Sequence, residues 1–366
     1  MTSKERALRN YTFQSIDRFT IDFCASSDVY ARLRQYYGVK SDLELMEVLH
    51  VDFRYPKPQW IGFPLVDGEG RPTDYFGIPR TGVGDFGYPI VHPLAHVSCL
   101  ADVEDYRKWP TPEMWDYDQY ARDCAQFDQH AVYGGAWAWF FEAACELVGM
   151  DRFFLLMHDK PEVAHAILEK TTGFMERTSE IMFDKAGQHI DICFTGDDYG
   201  FQSGPMMSMK MFNEFARPYL QRIYDAGKRN GKLVMHHSCG SVAQTMELLR
   251  ERDAAFSVLT GEDVLFYFNL VHGGNGGVLA AAHLRTETFL RTWDLVRRND
   301  HRGALDEWNQ VAGIIPLLFK EPNPAPVKYV LARKGLIRSE EVRLPLAPIS
   351  DGLKKAFDSL IEQGVL

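Results

Sequence analysis

From about residue 131 the chain repeats one rhythm: a short apolar run, a polar or glycine-rich end, then a helical stretch. Ala131-Val132-Tyr133-Gly134-Gly135 reads as a strand and is followed by a helix through Trp137–Val148. Pro161 sits in the first turn of a long helix reaching about Lys185, and Gln188–Phe194 is the next strand. A helix over roughly 210–228 precedes the strand Lys232–Met235, a helix at 242–250 follows, and then the strand Phe256–Leu259. One more helix and the strand Gly277–Ala282 complete the pattern. Strands that alternate with helices cannot pair as hairpins, so they form a parallel sheet with helical crossovers. The expected fold is α/β: a single (β/α)₈ TIM-type barrel, whose chemistry sits at the C-terminal ends of the strands.

A chain of 366 residues fits one barrel with additions. Residues 1–130 read as an N-terminal elaboration, in which Ser41-Asp42-Leu43-Glu44 is a capping box. Residues 131–250 hold the first barrel part, 251–284 the last two barrel strands, and 285–366 a helical appendage. The helices of that appendage are expected at 285–299, 302–319, 325–334 and 350–364. The net charge of −10 offers no basic face, which argues against nucleic acid as a partner. No apolar run approaches the ~18 residues that would span a bilayer. Six scattered cysteines suit free thiols in a reducing cytoplasm.

The chemistry concentrates where strands end. His237-Ser238-Cys239 places an imidazole and a thiol two residues apart on an extended chain, so both face one side. These are zinc-type donors, although two ligands alone do not make a zinc site. The plain alternative is a packed thiol beside a hydrogen-bonded histidine. Asp197-Asp198 follows the preceding strand. Two adjacent carboxylates bind a cation or share a proton, or else one of them caps a helix.

Several stretches resemble the uroporphyrinogen decarboxylase-like superfamily over about residues 1–245. They are Ile16-Asp17-Arg18, Tyr106-Arg107-Lys108-Trp109-Pro110, Gly196-Asp197-Asp198-Tyr199-Gly200-Phe201-Gln202-Ser203-Gly204-Pro205, Phe212-Asn213-Glu214-Phe215-Ala216-Arg217-Pro218 and His237-Ser238-Cys239-Gly240-Ser241. The last three look like the corrinoid-linked methyltransferase branch. The Arg-Gln-Ala-Gly-Arg stretch of the decarboxylases is missing from this chain. The resemblance implies that His237 and Cys239 bind zinc, which lowers the pKa of a bound thiol so that it accepts a methyl group. It also implies that Asp197, Asp198, Tyr199 and Gln202 shape the substrate pocket, and that a corrinoid, free or carried by a protein, is substrate or partner.

From about residue 252 the chain resembles another family, the C-terminal part of dihydrodipicolinate synthase and N-acetylneuraminate lyase. Val258-Leu259-Thr260-Gly261-Glu262-Asp263, Gly273-Gly274-Asn275-Gly276-Gly277-Val278, Glu321-Pro322-Asn323-Pro324-Ala325-Pro326-Val327-Lys328 and Arg343-Leu344-Pro345-Leu346 carry it. The chain thus reads as two barrel families joined between roughly 241 and 255. Laid without gaps, the lyase run Lys-Glu-Ala-Thr-Gly falls on His236–Gly240, which puts His236 at the Schiff-base lysine position. An imidazole forms no stable imine, so lyase chemistry loses its nucleophile. Gly261 and Val278 would line the pocket. The methyltransferase zinc usually takes a further cysteine from the C-terminal strands, and this chain has none beyond Cys239. Glu262, Asp263 and His283 stand near the ends of the last strands as candidate replacements. The reading is a zinc-dependent methyltransferase acting on a corrinoid or small methylated substrate. Beside it stand an aldolase or lyase without its lysine, and a composite scaffold with no activity. Lyase relatives are commonly tetramers, which leaves a homo-oligomer open.

Overall fold

The computed structural model describes residues 1–12, 14–81, 87–201, 204–240, 242, 257–343 and 346–366. The chain divides into two compact units, residues 1–199 with 206–238, and residues 200–205 with 239–366.

The first unit is organised by four parallel strands. They are β1 (Phe53–Arg54), β2 (Ala131–Gly134), β3 (Ile192–Gly196) and β4 (Leu233–His237), hydrogen-bonded in that order. β1 lies inside the stretch expected to be an elaboration. A two-residue strand is too short to show a periodicity of 2, so sequence patterning passes over it. In register, Ile192 pairs with Leu233 and Gly196 with His237. Side chains alternate faces along each strand. One face carries Phe53, Ala131, Tyr133 and Ile192, with Phe194 and Met235 beside them; helix α1 (Ser3–Tyr11) packs there through Ala7 and Tyr11. The other face carries Val132, Cys193 and Val234 against Met182, Phe183 and Ala186. These last three belong to helix α3 (Pro161–Ala186), which follows α2 (Phe140–Val148).

The helix expected over 210–228 begins at Met209 but opens into a π turn at Phe212–Ala216 before α4 (Arg217–Arg229). Pro218 has no N–H to give to the preceding turn, so the ladder rearranges just ahead of it. The third strand runs at Ile192–Gly196 rather than 188–194, because Gly187–His189 forms a 3₁₀ turn.

The second unit holds a parallel pair, β5 (Leu259–Thr260) and β6 (Gly276–Gly277). Its helices include α5 (Ala282–Arg297), α6 (His301–Ala312), α7 (Ala325–Arg333) and α8 (Asp351–Glu362). Phe266, Trp308, Ile315, Leu318, Val330 and Phe357 form its core. Buried Asp263 accepts N–H bonds from Ala280 (3.3 Å) and Ala281 (2.5 Å), which fixes the loop that leads into α5.

Among the described residues the parallel strands form two separate sheets, of four and of two strands, and not a closed ring of eight. Most of the helix expected at 242–250, and the start of the strand expected at 256, lie outside the described residues.

Candidate metal centre at the end of the fourth strand

β3 and β4 end side by side, and the backbone pairing continues past them: Asp197 N–H donates to the His237 carbonyl at 3.0 Å. Tyr199 N–H then donates to the Ser238 hydroxyl at 3.1 Å. This doubled link brings the Asp197-Asp198 segment beside His237-Ser238-Cys239. The His237 Nε2 lies 3.9 Å from a carboxylate oxygen of Asp198. Cys239, bonded to Ser238, follows directly, and its thiol is exposed. Ligand atoms of Asp198, His237 and Cys239 all lie within 4.8 Å of one another. Among the described residues this is the group of three such donors, and neither Glu262 nor His283 belongs to it. The next residue, Gly240, has φ +80°, and a Cβ there would come within 2.1 Å of the Gly200 carbonyl oxygen. Only glycine permits that turn after the thiol.

The donor set suits zinc. It offers one nitrogen, one sulfur and one oxygen ligand, and leaves a coordination position for a substrate. Around a tetrahedral zinc, with bonds of about 2.0–2.3 Å, neighbouring ligand atoms stand about 3.3–3.8 Å apart. Asp198 and His237, 3.9 Å apart, nearly meet that spacing. Asp198 and His237 are partly open to solvent, at 35% and 51% of their side-chain surfaces.

The two aspartates serve different ends. Asp197 is buried, and its two carboxylate oxygens accept the N–H groups of Phe141 (2.7 Å) and Glu142 (3.0 Å) in the first turn of α2. Tyr199 Oη donates to it at 3.4 Å. It therefore caps a helix from another element, and α2 has no cap of its own. Burial raises the Asp197 carboxyl well above its ordinary value, against the pull of those two N–H bonds. Asp198 is the one that faces the donors.

His236 points to the opposite face of β4. Its ring stacks on Tyr199 (6.1 Å, 15°) and meets the edge of Tyr224 from α4 (5.5 Å). Both ring nitrogens are shielded and have no hydrogen-bond partner among the described residues. Burial, and then the neighbouring His237, push its pKa down to about 3. The ungapped lyase register puts His236 at the lysine position, and the pleat turns that residue away from the donors. One residue of register reverses the face, so residue 236 packs against the helical layer while Met235 and His237 point the other way. Lys232 stands at the start of β4, with its ammonium on the carbonyls of Gly187 and Ile190, at the end remote from the donors.

Gly261 and Val278 occupy corresponding places after β5 and β6, and Val278 N–H donates to Thr260 O at 2.8 Å. Val278 is 72% exposed. Gln202 lies outside the described residues.

Two residues at the strand mouth escaped sequence reasoning. Trp137, in the β2–α2 connection, lies 6.2 Å from the His237 ring. Glu142 is an exposed residue whose carboxyl is nonetheless lifted to about 7, first by desolvation of its inner side and then by the charges of Glu146 and Asp198. Trp137 follows a strand that ends in Gly134-Gly135, so the rule that singled out the residues after β3 and β4 would have found it, whereas Glu142 lies inside α2 and carries no such signal.

Two family models match the chain and divide it between them. Residues 93–264 match the uroporphyrinogen decarboxylase family, and residues 232–364 match the dihydrodipicolinate synthetase family. The chain is a composite of the two. The matches overlap at 232–264, which contains β4 and the donor cluster. Among curated proteins, 4-hydroxy-tetrahydrodipicolinate synthase 2 of Clostridium acetobutylicum is 51% identical over 124 residues, 34% of this chain and 43% of that protein. The 4-hydroxy-tetrahydrodipicolinate synthase of Chlorobium chlorochromatii is 37% identical over 126 residues, 34% of this chain and 42% of that protein. The chain spans less than half the length of these relatives. Among solved structures, a methyltransferase from Methanosarcina mazei superposes with a TM-score of 0.50 at 15% identity, over 76% of this chain and 83% of that one. That likeness is one of fold, and it is of the α/β, barrel type. No helix among the described residues is long and apolar enough to cross a membrane.

Proposed function

We propose that the chain is a zinc-dependent methyltransferase in which Asp198, His237 and Cys239 hold the metal. The observation that carries this reading is the convergence of three unlike donors at one strand mouth, all within 4.8 Å of one another. The third ligand comes from the end of β3, not from Glu262 or His283 in the C-terminal segment. When bound, zinc lowers the pKa of a coordinated thiol and makes it a nucleophile near neutral pH. The chain's own contribution is orientation. Asp197 pins the end of β3 to α2, and the Tyr199–Ser238 bond sets the spacing between the carboxylate and the imidazole. The methyl donor on this reading is a corrinoid or a small methylated compound, and the acceptor is a small thiol. Imine chemistry lacks its nucleophile at this strand end, because His236 stands at the register position of the Schiff-base lysine and the mouth of β4 carries His237 and Cys239.

The test is zinc per chain by mass spectrometry, with melting temperature, for the starting protein and for Cys239→Ser and Asp198→Asn at matched pH. The starting protein should hold close to one zinc, and each variant should lose most of it without unfolding. A zinc-loaded sample should also release a proton when a small thiol binds, seen by calorimetry in buffers of different ionisation heat. A protein that takes up no zinc from a modest excess fits the scaffold reading instead.

A further inference from the structure

Trp137 is 42% exposed, yet it is held in place. A Cβ at Gly196 would fall 2.3 Å from the indole, so the ring lies against the backbone at the end of β3. Phe194 meets the ring edge-on at 5.0 Å. The indole stands 6.2 Å from His237 with an interplanar angle of 31°. An aromatic ring of this size is normally buried to gain its hydrophobic stabilisation. Here the sequence keeps a glycine in a core strand, at a conformational cost, so that the ring can sit half open beside the donors. Asp198, 3.9 Å from the His237 Nε2, sets a carboxylate at the same mouth.

We infer that Trp137 is a specificity-determining platform that binds a quaternary methylammonium as the methyl donor. The indole is the side chain best suited to attract a cation over its face, and the nearby Asp198 carboxylate adds to the attraction. A trimethylammonium head is rounded and weakly hydrated, which suits a flat aromatic face better than a directed hydrogen-bonding group. The inference rests on the methyltransferase reading for the fate of the methyl group. A thiolate sulfur lone pair forms the new C–S bond while the C–N bond breaks. The bonding pair stays on nitrogen, a neutral tertiary amine leaves, and the thiol proton has already passed to solvent. No oxidant or reductant is needed.

The experiment is calorimetric titration of the zinc-treated full chain with choline and with its neutral isostere, 3,3-dimethylbutan-1-ol, and with anisole as a neutral aromatic. Zinc per chain is read on each sample. Choline should bind about tenfold or more tighter than the isostere. Trp137→Leu should abolish that preference, Trp137→Phe should keep part of it, and Gly196→Ala should weaken it by displacing the ring. Melting curves verify that each variant is folded, and the Trp137→Phe result carries the test if the leucine variant is not. Equal binding of choline and isostere, tighter binding of anisole, or a preference that survives Trp137→Leu would each overturn the inference. A choline preference without zinc would sink the metal reading and leave the platform standing; zinc without the preference would do the reverse.

Discussion

His236 and His237 are neighbours in sequence and opposites in chemistry. His237 stands at the strand mouth beside Asp198, whereas His236 is wedged between two tyrosine rings with no partner for either nitrogen among the described residues. An unpaired buried polar group costs stability, and replacing it with an apolar group of similar shape is neutral or favourable. His236→Phe should therefore leave the melting temperature unchanged or raise it by a few degrees, and zinc content should not fall. A loss of zinc together with a retained fold would mean that residue 236 takes part in the site after all. The same comparison separates Asp197 from Asp198. Either could be read as a ligand from sequence, but only the structure shows that one of them is spent on the backbone of α2.

Helix α1 and strand β1 are joined by charge. Buried Asp52 accepts bonds from Arg6 (2.6 Å), Arg18 (2.7 and 2.9 Å) and the Ile21 N–H (2.8 Å). Asp17 bonds Arg6 in turn, at 2.6 and 3.0 Å. The Ile16-Asp17-Arg18 stretch thus gains a structural meaning, because it straps the N-terminal segment to the first strand. Without Arg6, Asp52 keeps Arg18 and the Ile21 N–H but loses a charged hydrogen bond, so Arg6→Met should cost about 2 kcal/mol in denaturant unfolding. Burial alone would raise the Asp52 carboxyl, but the bonds from Arg18 and the Ile21 N–H outweigh it and hold the carboxyl below its ordinary value. A carboxyl depressed in the folded state binds fewer protons there than when unfolded. Its stabilisation is therefore complete above about pH 4 and is lost as pH falls through the lower folded value. Unfolding midpoints measured between pH 6 and pH 3 should show this decline, and Asp52→Asn should flatten it.

The two units have separate cores. Phe357, Trp308 and Val330 belong to the cluster of the second unit, while Phe53, Tyr133 and Ile192 belong to the first. Phe357 is fully buried, so Phe357→Ala should cost about 3–5 kcal/mol. Scanning calorimetry should show that loss as a shift in one transition while a second stays in place. A single transition that moves as a whole would mean that the two cores unfold as one.

Much of this protein is legible along the chain because it depends on local periodicity and on side-chain chemistry. The strands Ala131–Gly134 and Leu233–His237, the long helix from Pro161 and three C-terminal helices follow from apolar spacing and from proline and capping signals, while the helix expected over 302–319 stops at Ala312 and a short one resumes at Ile315–Leu318. His237 and Cys239 stand out because zinc needs donors of that kind at a spacing that faces one side. What the chain alone could not decide is pairing at a distance. A two-residue strand at Phe53–Arg54 has no period to read, and it becomes a strand only because β2 offers it hydrogen bonds. The face taken by residue 236 depends on strand register, which is fixed by contacts with β3 and α4 rather than by the motif itself. Family resemblance points to the C-terminal strands for the partner of the His-x-Cys pair. Tertiary pairing of β3 with β4 brought Asp198 there instead, since only the sheet determines which strand ends are neighbours.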